Sequence, residues 1–184
     1  TEYSMIMMSR LIRCLLVATA VGAVVSPAMG QIMAEELPPE LDGVGIVQRL
    51  DAQVPLDLTF VDHTGKDVQL SQLIDGTRPI LLTLNYYRCP MLCSLTLNGL
   101  VDGLRGMNLK LGSDYDIVTV SINPDEGPEL AAQNRAGYLA AIGDEASESA
   151  WPFLVGEQAD IETLAKSVGF GYRYDETSGE YAHT

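Results

Sequence analysis

Pro79-Ile80-Leu81-Leu82-Thr83-Leu84-Asn85-Tyr86-Tyr87-Arg88-Cys89-Pro90-Met91-Leu92-Cys93-Ser94-Leu95-Thr96 is the part of this chain from which its architecture can be read. Ile80 to Leu84 is an apolar run of the length of a buried strand. It empties through Asn85, Tyr86, Tyr87 and Arg88 into Cys89. Pro90 follows, and a helix tolerates proline best in its first turn. With a helix starting there, Cys93 lies one turn beyond Cys89 on the same face. The partial positive charge of a helix N-terminus stabilises thiolates. The stretch therefore predicts a strand that delivers two reactive sulfurs to the mouth of a fold.

Working outward, apolar residues recur at Leu92, Leu95, Leu97, Leu100, Val101 and Leu104, a helical spacing. Gly99, Gly103 and Gly106 interrupt that face and predict close packing against a neighbour. Tyr115 to Ile122 is a second buried strand, Pro128 to Ile142 a helix ended by Gly143, and Trp151 to Val155 a third strand. Asp160 to Val168 is a helix stopped by Gly169. Tyr172–Tyr174 and Glu180–His183 flank a five-residue loop, Asp175–Gly179, as a hairpin.

Upstream, Leu56 to Val61 alternates as a half-buried strand. It turns through Asp62–Lys66 and returns as Val68–Leu70. Ser71 is expected to cap a short turn around Leu73 and Ile74, and Asp75-Gly76-Thr77 breaks it. Gly43 to Pro55 is an extended lead-in. Strands alternating with helices imply an α/β sheet with parallel crossovers.

The N-terminus has the pattern of a targeting segment. Arg10 and Arg13 precede the uncharged apolar Leu15–Val25, and Ser26-Pro-Ala-Met-Gly30 offers small residues for cleavage. Residues 1–30 are read as a signal peptide, the alternative being an uncleaved anchor that tethers the chain to a membrane. Residues 31–42 form an acidic, Pro-rich linker and 43–184 the folded domain. Either way the domain is exported, periplasmic or anchored facing the periplasm. Cleavage would remove Cys14 and leave Cys89 and Cys93 as the only cysteines.

The formal net charge is -14 over 184 residues, which excludes nucleic acid as a partner because phosphate binding needs clustered Lys and Arg. In an oxidising compartment a close cysteine pair is a structural disulfide, a redox couple or a metal site. Redox couples usually have two intervening residues; three leave room for an ion between the sulfurs. Two thiolates select soft metals, Cu(I) foremost. A third ligand must come from His63 or His183, the two histidines of the chain. His63 reads as an exposed turn residue. His183 ends the last hairpin, from which it can reach the strand-end edge where α/β sheets take ligands. Zinc would want a fourth ligand, and recruiting His63 for it is forced.

These motifs resemble the SCO/SenC family of copper-binding, thioredoxin-like proteins that serve cytochrome c oxidase assembly. The carriers are Cys89-Pro-Met-Leu-Cys93 after an apolar strand, Ser121-Ile-Asn-Pro-Asp125 with Pro128, and Gly169-Phe-Gly-Tyr-Arg-Tyr174 leading to Tyr181-Ala-His183. The resemblance covers about residues 43–184. It implies a thioredoxin-like fold with an N-terminal hairpin. It also implies copper, Cu(I) or Cu(II), on Cys89, Cys93 and His183, and cysteines that can cycle through a disulfide. The partner it implies is the copper-centre subunit of cytochrome c oxidase or another copper chaperone. Asn123 and Ser94 stand where the family usually has Asp and often Pro. The family continues past the histidine with a strand, a turn and a helix, so the sequence is expected to be a C-terminally truncated piece. The competing reading is an enzyme, a metal-independent thiol-disulfide oxidoreductase using Cys89 and Cys93.

Overall fold

In a computed structural model, residues 42–89, 92–143 and 149–183 are described, those at 92–94 by backbone alone. The expected leader and nearly all of the linker fall outside these residues, as do the expected helix start at Pro90 and the Cys93 side chain. Among the described residues no helix is long and apolar enough to cross a membrane.

The elements run β1 (Gly45–Ile46), β2 (Thr59–Asp62), β3 (Asp67–Gln69), α1 (Leu70–Leu73), β4 (Ile80–Asn85) and α2 (Leu92–Arg105). They continue β5 (Asp116–Ser121), α3 (Pro128–Ile142), β6 (Phe153–Val155), α4 (Gln158–Val168), β7 (Phe170–Gly171), β8 (Arg173–Asp175) and β9 (Glu180–Ala182). Five strands form one sheet in the order β3-β2-β6-β5-β4. β4, β5 and β6 are parallel, with Asn85 opposite Ser121 at their C-terminal edge. β2 joins antiparallel to β6 and to β3, which gives the expected N-terminal hairpin. β1 pairs with β7, and β8 with β9, as separate two-stranded ribbons.

β5 shows why the sheet carries a helical layer on each face. Val118 and Val120 enter a cluster with Phe60, Leu70, Leu154, Ile161 and Leu164, so α4 covers that side. Ile117 enters a cluster with Leu97, Val101, Leu104, Trp151 and Phe153, with Tyr138 and Leu139 packed on it, so α2 and α3 cover the other. Thr119 shares this second face without an unmet polar atom: Trp151 Nε1 donates to its Oγ1 at 2.8 Å. A period of two in the sequence thus fills two cores at once.

Several expectations need correction. β4 is the edge of the sheet, not a strand buried on both sides, and Leu81 is exposed there. The strand expected over Leu56 to Val61 is Thr59–Asp62 instead; Leu56 stays exposed, while Leu58 and Phe60 are buried. Leu70 opens α1 rather than closing β3, and Gln69, not Ser71, is its N-cap; Gln69 N–H donates to Gln72 Oε1 at 3.0 Å. The third parallel strand starts at Phe153, two residues later than expected, and α4 at Gln158, two earlier. Asp175 pairs with Glu180, which shortens the last hairpin loop to Glu176–Gly179. The glycines of α2 do not mark close packing, for a Cβ at Gly99 or Gly103 would meet open space. The close approach lies at Gly169 instead, where φ is +73° and a Cβ would sit 1.9 Å from Val47 O.

Candidate metal centre

The backbone leaving β4 keeps the strand alternation for two more residues. Tyr86 therefore turns into one core and Tyr87 into the other. Tyr87 Oη donates to Leu154 O at 2.7 Å, and its ring stacks on Phe153 with centroids 5.6 Å apart. Burial, and next the Glu126 carboxylate, raise the Tyr87 phenol well above its ordinary pKa, so it stays a donor. Cys89 follows at the sheet's C-terminal edge, half-buried, with its N–H donating to Tyr86 O at 3.3 Å.

A carboxylate in the loop between β5 and α3 holds this segment. Glu126 is 5% exposed, and its carboxylate accepts from Tyr87 N–H at 2.7 Å, Arg88 N–H at 2.8 Å and Ser121 Oγ at 2.7 Å. Backbone amides satisfy a buried carboxylate without a cation. Two consecutive amides on one carboxylate fix the path into Cys89. Asn123 shapes the loop that carries Glu126. Its N–H donates to Ser121 Oγ at 3.1 Å, and its Oδ1 accepts from Asp125 N–H at 2.9 Å. The amide thus takes up a turn-forming role open to aspartate as well.

The histidines separate. His63 lies at the β2–β3 turn, beside Phe153 at the start of β6. Because β6 is parallel to β4, that is the edge of the sheet opposite to Cys89. His63 is half-buried rather than exposed, and its Nδ1 has no hydrogen-bond partner. Burial first, then Arg135, lower its pKa. It is no partner for the cysteines.

His183 comes to Tyr86. Its ring meets the Tyr86 ring edge-on at 5.7 Å between centroids, and Phe170 at 6.5 Å. The Tyr86 phenol donates to Glu180, and Cys89 packs against the same core cluster as Tyr86. Burial first, then Glu180 and Cys89, push the Tyr86 pKa well up and keep the phenol protonated. The structure thus brings Cys89 and His183 to one tyrosine, a sulfur and an imidazole at the mouth of the parallel strands. Among the described residues no three His, Cys, Asp or Glu side chains form a ready metal-binding group, and the Cys93 side chain is outside that set. A soft sulfur and a borderline imidazole at a half-buried edge suit a soft or borderline ion.

Comparison with known proteins agrees with the fold. The family described as SCO1/SenC matches residues 47–184. No curated protein sequence matches the chain. Among solved structures, a protein of Aquifex aeolicus is 24% identical with a TM-score of 0.56, over 69% of this chain and 75% of that one. ScoI of Arabidopsis thaliana, solved with copper bound, is 18% identical with a TM-score of 0.51, over 68% and 75%. ScoI of Bradyrhizobium japonicum, also with copper bound, is 23% identical with a TM-score of 0.50, over 68% and 73%. With the family covering the sheet, the cysteine loop and the histidine hairpin together, this chain belongs to the SCO1/SenC family and has its thioredoxin-like α/β fold.

Proposed function

We propose that this chain is an exported copper carrier that takes one copper ion on Cys89, Cys93 and His183. It delivers that ion to the copper centre of cytochrome c oxidase, or keeps the thiols of that centre reduced. The observation that carries the reading is the approach of Cys89, through its backbone and packing, and of the His183 ring to one tyrosine, Tyr86, in a chain of the SCO1/SenC family. Copper in the two ScoI structures supports the choice of metal.

The chemistry follows from the donors. Two thiolates and an imidazole hold Cu(I) in three-coordination, which leaves a side open to an incoming thiolate. Copper can then leave by stepwise exchange, each new Cu–S bond replacing an old one. For the thiol role, the Cys89 and Cys93 dithiol would reduce a disulfide of the partner and itself become the disulfide. Two thiols and one disulfide stand on each side of that exchange.

Metal analysis of the anaerobically reduced, copper-loaded protein tests the carrier reading. One copper per chain is expected, lost in Cys89→Ala and Cys93→Ala and weakened in His183→Ala. Catalytic disulfide reduction that needs no metal and is indifferent to His183→Ala would replace the carrier with an oxidoreductase.

A further inference from the structure

The β8–β9 hairpin that ends in His183 makes no backbone ladder with the five-stranded sheet. A two-stranded hairpin is marginal in water by itself, so side chains must dock it. Three residues at its end, Glu180, Tyr181 and His183, meet one residue of the body. The Tyr86 phenol donates to Glu180 on β9, and its ring packs on Tyr181 at 5.5 Å and on His183 at 5.7 Å. Cys89 lies three residues on, packs against the same cluster as Tyr86, and donates its N–H to Tyr86 O at 3.3 Å. Tyr86 itself is 5% exposed and rooted in the core with Phe60, Val118 and Val120.

We propose that Tyr86 and Glu180 form a latch that docks the histidine hairpin on the cysteine loop, with Tyr86 the positioning residue for both Cys89 and His183. The inference deepens the copper reading and rests on it for its consequence in metal binding. Glu180 stands three positions before His183 on the strand that leads to it. Holding Glu180 therefore holds the imidazole within a short span of backbone. Cys89 is tied to the same residue through its backbone, so one rooted tyrosine sets the separation of the two donors. A ligand set fixed in this way loses affinity when its outer partner goes, by tenfold or more in ordinary metal sites.

Tyr86→Phe keeps the ring and removes the phenol bond to Glu180, so the core is preserved. Two measurements on the full chain test the latch. In metal-free protein, backbone amides of Arg173–Asp175 and Glu180–Ala182 should exchange faster in Tyr86→Phe and in Glu180→Ala, while those of β5 stay protected. In Cu(I) titrations against a competing chelator, Tyr86→Phe should weaken binding about tenfold in the parent chain. It should do far less in His183→Ala, because a residue that acts through His183 has nothing left to position. Unchanged hairpin exchange in Tyr86→Phe overturns the latch whether or not the chain binds copper. Faster exchange with equal copper losses in both backgrounds overturns the link to His183. Failure of the unmodified chain to bind copper would sink the carrier reading alone, and the exchange data would still decide the latch.

Discussion

Glu126 does at the residue scale what no motif announces. It takes two backbone amides and a hydroxyl out of water together and leaves none unmet. Glu126→Ala would strand those donors, at a cost of roughly 3 kcal/mol. Urea unfolding measures it, and a loss under about 1 kcal/mol would show that the loop finds other partners. Asp175 gives a pH prediction at the same scale. Its carboxylate accepts from Ser178 Oγ at 2.7 Å and Thr177 N–H at 3.0 Å, Ser178 first in effect, and its pKa lies below the ordinary 3.8. A depressed carboxylate contributes stability above its unfolded pKa and loses it as pH falls through the folded value. The hairpin loop should therefore hold down to below pH 3.8 and loosen under more acid conditions. Carboxyl resonances followed by NMR report this directly, and an Asp175 midpoint at or above 3.8 contradicts it.

The helices carry opposite lessons about glycine. Gly99 and Gly103 occupy exposed turns of α2 with nothing near a Cβ. Each replacement by alanine should raise stability by about 1 kcal/mol, the ordinary helix difference. A loss in chemical denaturation would mean a neighbour covers that face. Gly143 and Gly169 both end helices in the left-handed region. Alanine at Gly143, with open space around it, should cost about 1 kcal/mol. At Gly169 it should cost clearly more, because Val47 O occupies the space. Equal costs would show that β1 gives way easily. Element identity was legible wherever a period repeated: the β-branched run of β5, the apolar turns of α2, the proline and glycine around α3. The edge position of β4 was not, because an apolar run at the rim of a sheet reads like one at its centre. Glu126 and Glu180 were illegible for another reason. Their partners Tyr87 and Tyr86 lie 39 and 94 positions away, and a lone acidic residue in a loop or strand carries no local mark of burial.

At the scale of the whole molecule, the parallel strands settle where chemistry can occur. Their C-terminal edge receives the cysteine loop directly and the histidine hairpin through Tyr86, while the antiparallel β2 turns His63 to the far side. The spacing of Cys89 and Cys93 could be read from the sequence, and the choice between two histidines follows from topology. Copper should therefore stabilise the folded chain, since it binds the assembled set better than an unfolded one. Thermal unfolding of copper-loaded and chelator-treated protein checks this, and a shared midpoint would argue against a folded-state site. The proposed function requires two sulfurs and one imidazole to converge on a single ion. Copper K-edge X-ray absorption of the Cu(I)-loaded protein, compared with its His183→Ala variant, tests it most directly. Two sulfur neighbours and one imidazole nitrogen are expected, with the imidazole scattering gone in the variant. Sulfur-only coordination in the parent chain, or an imidazole signal that survives the substitution, would contradict it.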